Sequence, residues 1–185
     1  LWYGRGPHET YPDRSTCGSV RLWRAKDADA LHTRYVVPSE NGNRTDCRWM
    51  ACRRASTGGG MLFFLDDGGT FNFGADRASA RALADAKHEH EIRRDARTLH
   101  VNLDRRLMGV GGDNSWSPCV HPEYLVSSGC TYDWTQVCVP IMKDGGRRRR
   151  ERRGQESVVA AVADASDDDD APQRIAALYT EYRGC

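Results

Sequence analysis

A glycine-rich segment, residues 108–118 (MGVGGDNSWSP), constrains this chain more than any other stretch of its sequence. Its three glycines let the backbone take positive φ and pass close to a neighbouring segment. The Asp, Asn and Ser that follow can close turns through their side chains. We expect Trp116, a large ring, to lie against the protein body. The segment therefore predicts a tight crossing inside a β-rich body, with residues 99–103 as the preceding strand.

The same glycines could suggest a loop that binds the phosphates of a dinucleotide. Such a loop has the spacing G-x-G-x-x-G and opens a helix. Here Asn114 stands at the place of the third glycine, and Pro118 follows shortly after it. The spacing therefore argues against a dinucleotide site.

The length of 185 residues suits one domain of ordinary size with a further segment attached. A net charge of +1 gives no overall field that would favour nucleic acid or a membrane, so neither is predicted as a partner. No apolar run approaches the roughly twenty residues that cross a bilayer, and no secretory leader is recognisable. Because the chain starts with Leu1, we expect it to be a piece of a longer polypeptide that lacks its N-terminal part.

The cysteines occur without a C-x-x-C pair. They are Cys17, Cys47, Cys52, Cys119, Cys130, Cys138 and Cys185. Zinc sites usually have closely paired ligands, and disulfide scaffolds are shorter and denser in cysteine. We therefore predict that most are free, buried thiols in a reducing compartment, and hence a cytoplasmic protein. An extracellular protein with some disulfides is the alternative.

Alternating apolar and polar residues predict short strands joined by turns. The predicted strands are residues 19–24, 35–38, 43–52, 61–65, 70–73, 99–103, 120–126 and 131–139. In residues 43–52, the side chains of Cys47, Trp49 and Ala51 share one face. Residues 1–14 predict an extended segment that ends in an ordered loop, and residues 25–31 a turn or brief helix. Glycine-rich turns around residues 61–65 give the spacing of an antiparallel meander.

Residues 79–90 form the one helix predicted for the globular part, and this stretch ends in His88, Glu89 and His90. The zinc-protease motif H-E-x-x-H requires a second histidine where Ile92 stands, so that chemistry is excluded. The two histidines could share a metal ion from a strand. Exposed histidines beside glutamates are the favoured interpretation.

The composition changes abruptly after residue 142. Residues 147–153 are nearly all Arg, and residues 167–170 are all Asp. Such a segment cannot bury enough apolar surface to offset its chain entropy. We predict a globular domain over residues 1–142 and a charged tail over residues 143–185, disordered or weakly helical, with a short helix carrying Ile175 and Tyr179. A solvated tail is favoured over one that contacts nucleic acid or a membrane.

Several motifs together resemble the C-terminal domain of the large β-galactosidases of glycoside hydrolase family two. In chain order they are residues 4–14 (GRGPHETYPDR), 35–46 (YVVPSENGNRTD), 71–73 (FNF), 88–90 (HEH) and 99–124. The resemblance covers roughly residues 1–139. It implies an all-β super-sandwich of antiparallel strands, the fifth domain or small chain of an enzyme that removes terminal non-reducing β-D-galactose from galactosides such as lactose.

The resemblance places the chemistry outside this chain. In that family two glutamates on a separate (β/α)₈ barrel act with retention, about 5 Å apart. The ligands of Mg²⁺ and Na⁺ also belong to that part, so no cofactor is expected here. We assign no catalytic, substrate-binding or metal-binding residue, and we predict that the chain alone is inactive. The implied partners are the galactoside, reached through the complete enzyme, the other domains of the polypeptide, and further copies in a tetramer.

One departure concerns the rim of the active site. In well-known members this domain lends a tryptophan there, shortly before the segment matched by residues 71–73. Here residues 66–69 are DDGG, and Trp49 lies too far upstream to take the role. We expect Glu40 and Asp113, which lie in turns, to accept hydrogen bonds from backbone donors. His8, Glu9 and Asp13 are expected in a polar loop held by its own side chains.

Two other functions are compatible with the sequence. A stand-alone carbohydrate-binding β-sandwich would stack sugars on Trp2 or Trp49. An interaction protein would work through its Arg and Asp runs, with affinity that falls steeply with salt. Residues 43–45 (NRT) also form a glycosylation sequon, which matters only for a secreted protein.

Overall fold

The computed structural model describes residues 1–141, except 115 and 118, together with residues 173, 175, 176, 179 and 180. The chain forms two compact units. Unit one contains Leu1–Trp2, Arg48–Gly69 and Trp134–Cys185. Unit two contains Tyr3–Cys47 and Thr70–Asp133.

Short strands dominate the described residues. They are β1 (Trp2–Gly6), β2 (Ser19–Trp23), β3 (Arg44–Cys47), β4 (Trp49–Arg53), β5 (Gly60–Leu65), β6 (Phe71–Asp76), β7 (His100–Asp104) and β8 (Gln136–Ile141). One α-helix, α1 (Ala80–Asp85), and three 3-10 turns (Asp29–Leu31, Glu89–Glu91 and Pro122–Tyr124) complete the elements of residues 1–141.

Unit one is built on an antiparallel sheet in which β5 lies between β4 and β8. The register of the three strands is shown at Phe64, which lies opposite Trp49 of β4 on one side and Val137 of β8 on the other. The start of β1 joins this sheet, where the backbones of Leu1 and Ala51 exchange hydrogen bonds of 3.1 and 2.9 Å. Alternate side chains therefore point into one apolar layer.

That layer is the core of unit one. Its buried members are Trp49, Ala51, Leu62, Phe64, Val139, Ile141 and Ile175. The ring of Phe64 meets that of Tyr179 edge to face, with centroids 5.5 Å apart. Residues 173, 175, 176, 179 and 180 are helical, as the sequence predicts for a short helix in this region.

Unit two contains the remainder of β1, which neighbours β2, and a second antiparallel sheet of order β3-β6-β7. Phe73 lies opposite Leu103, and both Phe71 and Phe73 are buried. The helix α1 begins at Ser79, whose hydroxyl accepts a hydrogen bond from the Ala82 N–H at 3.1 Å. This N-cap satisfies one of the backbone donors left free at a helix start.

The predicted all-β fold of antiparallel strands with one short helix is confirmed. Strands follow where alternation predicts them at residues 19–24, 61–65, 70–73 and 99–103, with shifts of one to three residues at their ends. The extended first segment is present as β1, and residues 25–31 end in a 3-10 turn. The predicted tail over residues 143–185 lies outside the described residues apart from the five helical positions.

Other elements were predicted wrongly. Residues 43–52 form two strands instead of one, because Asp46 takes φ +55° and the β3 register shifts there, with Arg48 between the strands. The helix ends at Asp85, and Glu89–Glu91 is a separate 3-10 turn. Residues 35–38 form no strand. The meander is broken, since β6 pairs with β3 and β7 and not with β5.

The region after the glycine-rich segment differs most from its prediction. Residues 120–126 contain a 3-10 turn, Pro122–Tyr124, instead of a strand. Of residues 131–139, those from Gln136 onward belong to β8. Pro122 stands at the start of the turn, where its fixed φ and missing N–H suit a helical turn better than a strand ladder.

Candidate functional site

The glycine-rich segment makes the tight crossing that its sequence predicts. The carboxylate of Asp13 accepts hydrogen bonds from the N–H groups of Val110, at 3.1 Å, and Gly111, at 2.7 Å. The Gly109 N–H donates to the Tyr124 carbonyl at 2.9 Å. A Cβ on Gly109 would lie 2.5 Å from an Asp13 carboxylate oxygen. The glycine is thus required by close approach, as predicted for this segment.

Trp116 does not lie against the protein body, and that prediction was wrong. The residue is 88% exposed. Polar groups shape the backbone around it, because the Asn114 side-chain oxygen accepts hydrogen bonds from the N–H groups of Trp116, at 2.9 Å, and Ser117, at 2.8 Å. His121 pairs with Asp113 across the same segment. These polar contacts therefore form without packing of the Trp116 indole.

Glu9 is held in the polar loop that the sequence predicts. Its side chain is 3% exposed and accepts hydrogen bonds from Arg14 at 3.1 Å, the Gly42 N–H at 2.8 Å and the Tyr35 hydroxyl. Burial alone would raise the pKa of Glu9, but the hydrogen bonds from Tyr35 and Gly42, with the charge of Arg14, lower it below 4.5. Glu9 therefore has a structural role, and it joins residues 4–14 to residues 35–46.

A second set of hydrogen bonds joins the same two motifs. The hydroxyls of Thr10 and Thr45 are 3.0 Å apart, and the Asn43 side-chain amide donates to the Thr10 carbonyl at 2.8 Å. Asn43 is 2% exposed. Because that amide nitrogen is buried and engaged, the sequon at residues 43–45 is not accessible in the folded chain.

Glu40 and Asp113 differ from their predicted role as acceptors for backbone donors. Asp113 pairs with His121, and this hydrogen bond raises the pKa of the imidazole. Glu40 is an exposed residue, yet loss of solvation raises its pKa, as do the nearby charges of Asp104 and Glu9. No described contact pairs Glu40 with Asp113, so the structure brings together no acid and base from these two.

His88 and His90 are exposed, as predicted, and their rings stack with centroids 5.7 Å apart. The carboxylate between them, Glu89, instead pairs with Arg94 at 2.8 Å and with His32 at 3.3 Å. The other ring nitrogen of His32 lies 2.6 Å from an Asp76 carboxylate oxygen. No sequence signal pointed to His32, since it stands alone in an irregular stretch and its partners are distant along the chain.

No metal centre emerges from the described residues. Within them, no three His, Cys, Asp or Glu side chains meet in an arrangement that could hold a metal ion. Nor does any helix among the described residues have the length and apolarity to span a membrane. The Arg and Asp runs of residues 147–153 and 167–170 lie outside the described residues.

The cysteines are more exposed than predicted. The six described cysteines are all free, which agrees with the prediction of free thiols. However, only Cys47 among them is buried and Cys52 is half-buried, while Cys17, Cys119, Cys130 and Cys138 are exposed. The exposed ones stand in loops or on the outer face of a strand, where a small side chain is not needed for packing.

The two tryptophans named for sugar stacking are buried in unit one, Trp2 at 2% and Trp49 at 1% exposure. Neither ring is available to a pyranose. The turn at residues 66–69 is closed by the Gly69 N–H, which donates to the Asp67 carboxylate at 2.7 Å. Trp116 and Trp134, in contrast, are exposed.

A cleft of about 300 Å³ opens on unit two beside the glycine-rich segment. Its lining residues are Pro12, Asp46, Thr70, Phe71, Asn72, Arg105, Arg106, Leu107, Glu123, Tyr124, Leu125 and Val126. Arg105 is fixed by a hydrogen bond of 2.6 Å to the Thr70 carbonyl, and Arg106 lies 5.5 Å from the ring centre of Tyr132. Charged groups and exposed apolar side chains thus meet at one edge, which sequence reasoning did not identify.

Comparison with known proteins gives one consistent result. The family model described as β-galactosidase small chain matches residues 1–137. A β-galactosidase of Aeromonas hydrophila is 40% identical over 131 residues, which are 71% of this chain and 12% of the relative. A β-galactosidase of Vibrio cholerae is 43% identical over 126 residues, 68% of this chain and 11% of the relative.

A third relative, from Yersinia enterocolitica, is 41% identical over 127 residues, again 11% of its own length. The residues that the family model matches include those that build the Glu9 network and the glycine-rich crossing. The resemblance inferred from the motifs is confirmed. The chain belongs to the β-galactosidase small-chain family.

Proposed function

We propose that this chain provides the small-chain portion of a β-galactosidase that hydrolyses terminal non-reducing β-D-galactose residues. The observation that supports this most strongly is the family match over residues 1–137. The chain spans only 11 to 12% of the length of the relatives above. The proposed role is therefore to supply a structural β domain to a larger enzyme, whose barrel carries the catalytic glutamates.

The contacts of the acidic side chains fit a non-catalytic role. Retaining glycosidases need two carboxyl groups about 5 to 5.5 Å apart, one as nucleophile and one as acid/base. Here Glu9 accepts three hydrogen bonds, and Asp13 is engaged by two backbone N–H groups. Carboxylates that are satisfied in this way hold the fold together and are poor candidates for attack on a sugar.

The proposal has further parts that follow from the resemblance. Mg²⁺ and Na⁺ belong to the barrel portion, and this chain contributes no ligand to them. The complete enzyme meets its galactoside through the barrel and assembles as a tetramer in the cytoplasm. The free state of the six described cysteines fits a reducing compartment.

The experiment is a chimera based on the Aeromonas hydrophila relative. Its matched segment is replaced by the complete 185-residue chain. We expect the chimera to hydrolyse a chromogenic galactoside, and the same relative with the segment deleted to lose that activity. An inactive, folded chimera would contradict the proposal.

The isolated chain gives a complementary test. We expect it to have no galactoside turnover at all. Turnover by the purified chain that disappears in Glu40→Gln or Asp113→Asn would overturn the non-catalytic role. Those two residues are the informative ones because they carry exposed carboxylates in turns.

A further inference from the structure

One histidine of unit two lies among charged side chains that the proposed function does not use. His32 follows the 3-10 turn Asp29–Leu31, and its side chain is 7% exposed. The carboxylates of Asp76 and Glu89 and the guanidinium of Arg94 surround its ring. We call His32 and these three residues the His32 cluster. An imidazole ordinarily changes its charge between about pH 5 and 8, so the contacts of this ring can depend on pH.

Asp76 fixes the first ring nitrogen of His32. One Asp76 carboxylate oxygen lies 2.6 Å from His32 Nδ1, and the other accepts a hydrogen bond from the Ala78 N–H at 2.8 Å. An ionised carboxylate is only an acceptor, so Nδ1 carries the proton of the hydrogen bond between the two side chains. The neutral ring therefore has an unprotonated Nε2, which accepts a hydrogen bond.

The second ring nitrogen has a partner for each protonation state. Arg94 Nη2 lies 3.0 Å from His32 Nε2, and a Glu89 carboxylate oxygen lies 3.3 Å from it. The guanidinium can only donate, so it pairs with an unprotonated Nε2. The carboxylate can only accept, so it pairs with Nε2–H. Protonation of His32 therefore exchanges Arg94 for Glu89 as the partner of this atom.

The charges of the cluster favour a firmer connection in the protonated state. With a neutral imidazole, two carboxylates face one guanidinium, and negative charge is in excess. An imidazolium balances this excess and bridges Asp76 to Glu89. Burial alone would raise the pKa of Glu89, but hydrogen bonds from Arg94 and His32 lower it below 4.5, so Glu89 is still an acceptor in mild acid. Arg94 can keep its 2.8 Å hydrogen bond to Glu89 in both states.

We propose that the His32 cluster is a pH-dependent latch for the turn Glu89–Glu91. In the protonated state the imidazolium joins Asp76, on β6, directly to Glu89 on the turn. In the neutral state His32 reaches the turn only through Arg94. Acidification therefore fastens the turn to β6, and a rise in pH loosens it. This inference does not depend on the proposed function, because every contact in it lies within unit two.

The other charged groups of the surrounding elements have partners outside the cluster. These pairs are Asp29 with Arg77 at 3.4 Å, Glu91 with the Lys87 N–H at 2.8 Å, and Arg44 with the Leu31 carbonyl at 3.3 Å. Three further imidazoles belong to the same elements, namely His88 and His90 at the turn and His100, which lies opposite Asp76 in the β6–β7 ladder. Because all imidazoles titrate in a similar range, a test must separate His32 from these three.

The first test determines which ring nitrogens of His32 carry protons. Long-range ¹H–¹⁵N NMR spectra of the labelled 185-residue chain give this directly, with His32→Gln to assign the signals. At about pH 8 we expect a proton on Nδ1 alone, and at about pH 5 a proton on both nitrogens. A neutral ring with its proton on Nε2 would overturn the inference. So would a ring whose protonation does not change over this range.

The second test follows hydrogen exchange of the Ile92 amide, which donates to the Glu89 carbonyl at 3.3 Å. After correction for the intrinsic exchange rate, its protection should rise about tenfold from about pH 8 to about pH 5. A rise of that size is expected when a hydrogen bond between charged groups is gained. The side chain in His32→Gln is polar but does not titrate, so the pH dependence of protection should disappear.

Matched controls separate His32 from the neighbouring imidazoles. His90→Gln and His100→Gln each remove an exposed imidazole and leave the cluster in place, so both should keep the pH dependence. Glu89→Gln is a second test variant in case His32→Gln does not fold. It removes the carboxylate that pairs with Nε2–H, and protection should again become independent of pH. A pH dependence that survives in the folded test variants, or that either control abolishes, would refute the latch.

Discussion

Replacing Gly109 by alanine tests the crossing of the glycine-rich segment most directly. The added Cβ would lie 2.5 Å from an Asp13 carboxylate oxygen, 2.7 Å from its carboxyl carbon and 2.9 Å from Tyr124 Cβ. These distances are far below van der Waals contact. Either Asp13 or the crossing backbone must move, and the hydrogen bonds from Val110 and Gly111 to Asp13 then lengthen.

The magnitude follows from two effects. Overpacking by one methyl group costs about 1 to 3 kcal/mol. A hydrogen bond to a charged group contributes about 1.5 to 3 kcal/mol to stability. If the Asp13 carboxylate is displaced, part of this contribution is lost. We therefore expect Gly109→Ala to lower the free energy of unfolding by about 2 to 4 kcal/mol. Gly74→Ala is the matched control, since its Cβ would meet nothing within 4 Å, and it should change stability by less than about 1 kcal/mol.

The assay is urea unfolding followed by circular dichroism, with hydrogen exchange of the Val110 and Gly111 amides to locate the effect. The substitution is repeated in an Asp13→Ala background. There the cost of Gly109→Ala should fall by about 1 kcal/mol or more, because the principal clash is removed and only the Tyr124 contact remains. An unchanged cost in that background, or a cost no greater than that of Gly74→Ala, would refute the steric explanation.

Three further predictions follow from the described contacts. Because the folded-state pKa of Glu9 is lowered, its stabilisation is present above pH 4.5 and is lost as the pH falls through the folded pKa. Glu9→Gln should thus lower the free energy of unfolding by about 2 kcal/mol near neutral pH and by less in acid, as measured by urea unfolding at several pH values. A decrease that does not depend on pH would contradict this. Phe64→Ala, at the centre of unit one, should cost about 3 to 5 kcal/mol in the same assay, whereas the exposed Leu22 should tolerate alanine within about 0.5 kcal/mol. Iodoacetamide followed by mass spectrometry should label Cys138 rapidly and Cys47 only on unfolding, and equal rates would be inconsistent with their exposure.

The sequence predicted those elements whose signal is local. Apolar alternation in residues 61–65 and 70–73 reflects the pleat of a strand, and β5 and β6 occur there. The glycines within residues 109–112 predicted that the backbone passes close to a neighbouring segment, because a residue without a side chain permits such an approach. Glu9 was predicted in a polar loop held by its own side chains, and its contact with Arg14, five positions along the chain, is the local part of its network.

Other features depend on partners that are distant along the chain. The strand expected at residues 120–126 has β-forming residue types, but strand formation is decided by a neighbouring strand, and no ladder includes this stretch. The exposure of Trp116 was unforeseen for a related reason. Large rings are usually highly buried, and no local sequence pattern distinguishes a tryptophan that stays exposed, as Trp116 does. The His32 contacts with Asp76 and Glu89 join residues 44 and 57 positions apart, which no motif could reveal.

Ile175 limits how far the chain can be truncated at its C-terminal side without loss of stability. Composition suggests trimming at residue 142, yet Ile175 is 1% exposed among the core residues of unit one, and Tyr179 rests its ring edge against Phe64. A form ending at Ile141 would lack the Ile175 side chain and leave a cavity in the core of unit one. By analogy with large-to-small core substitutions, this should lower the free energy of unfolding by about 2 to 5 kcal/mol. Ile175 thus completes a core whose last strand, β8, ends more than thirty residues earlier in the sequence.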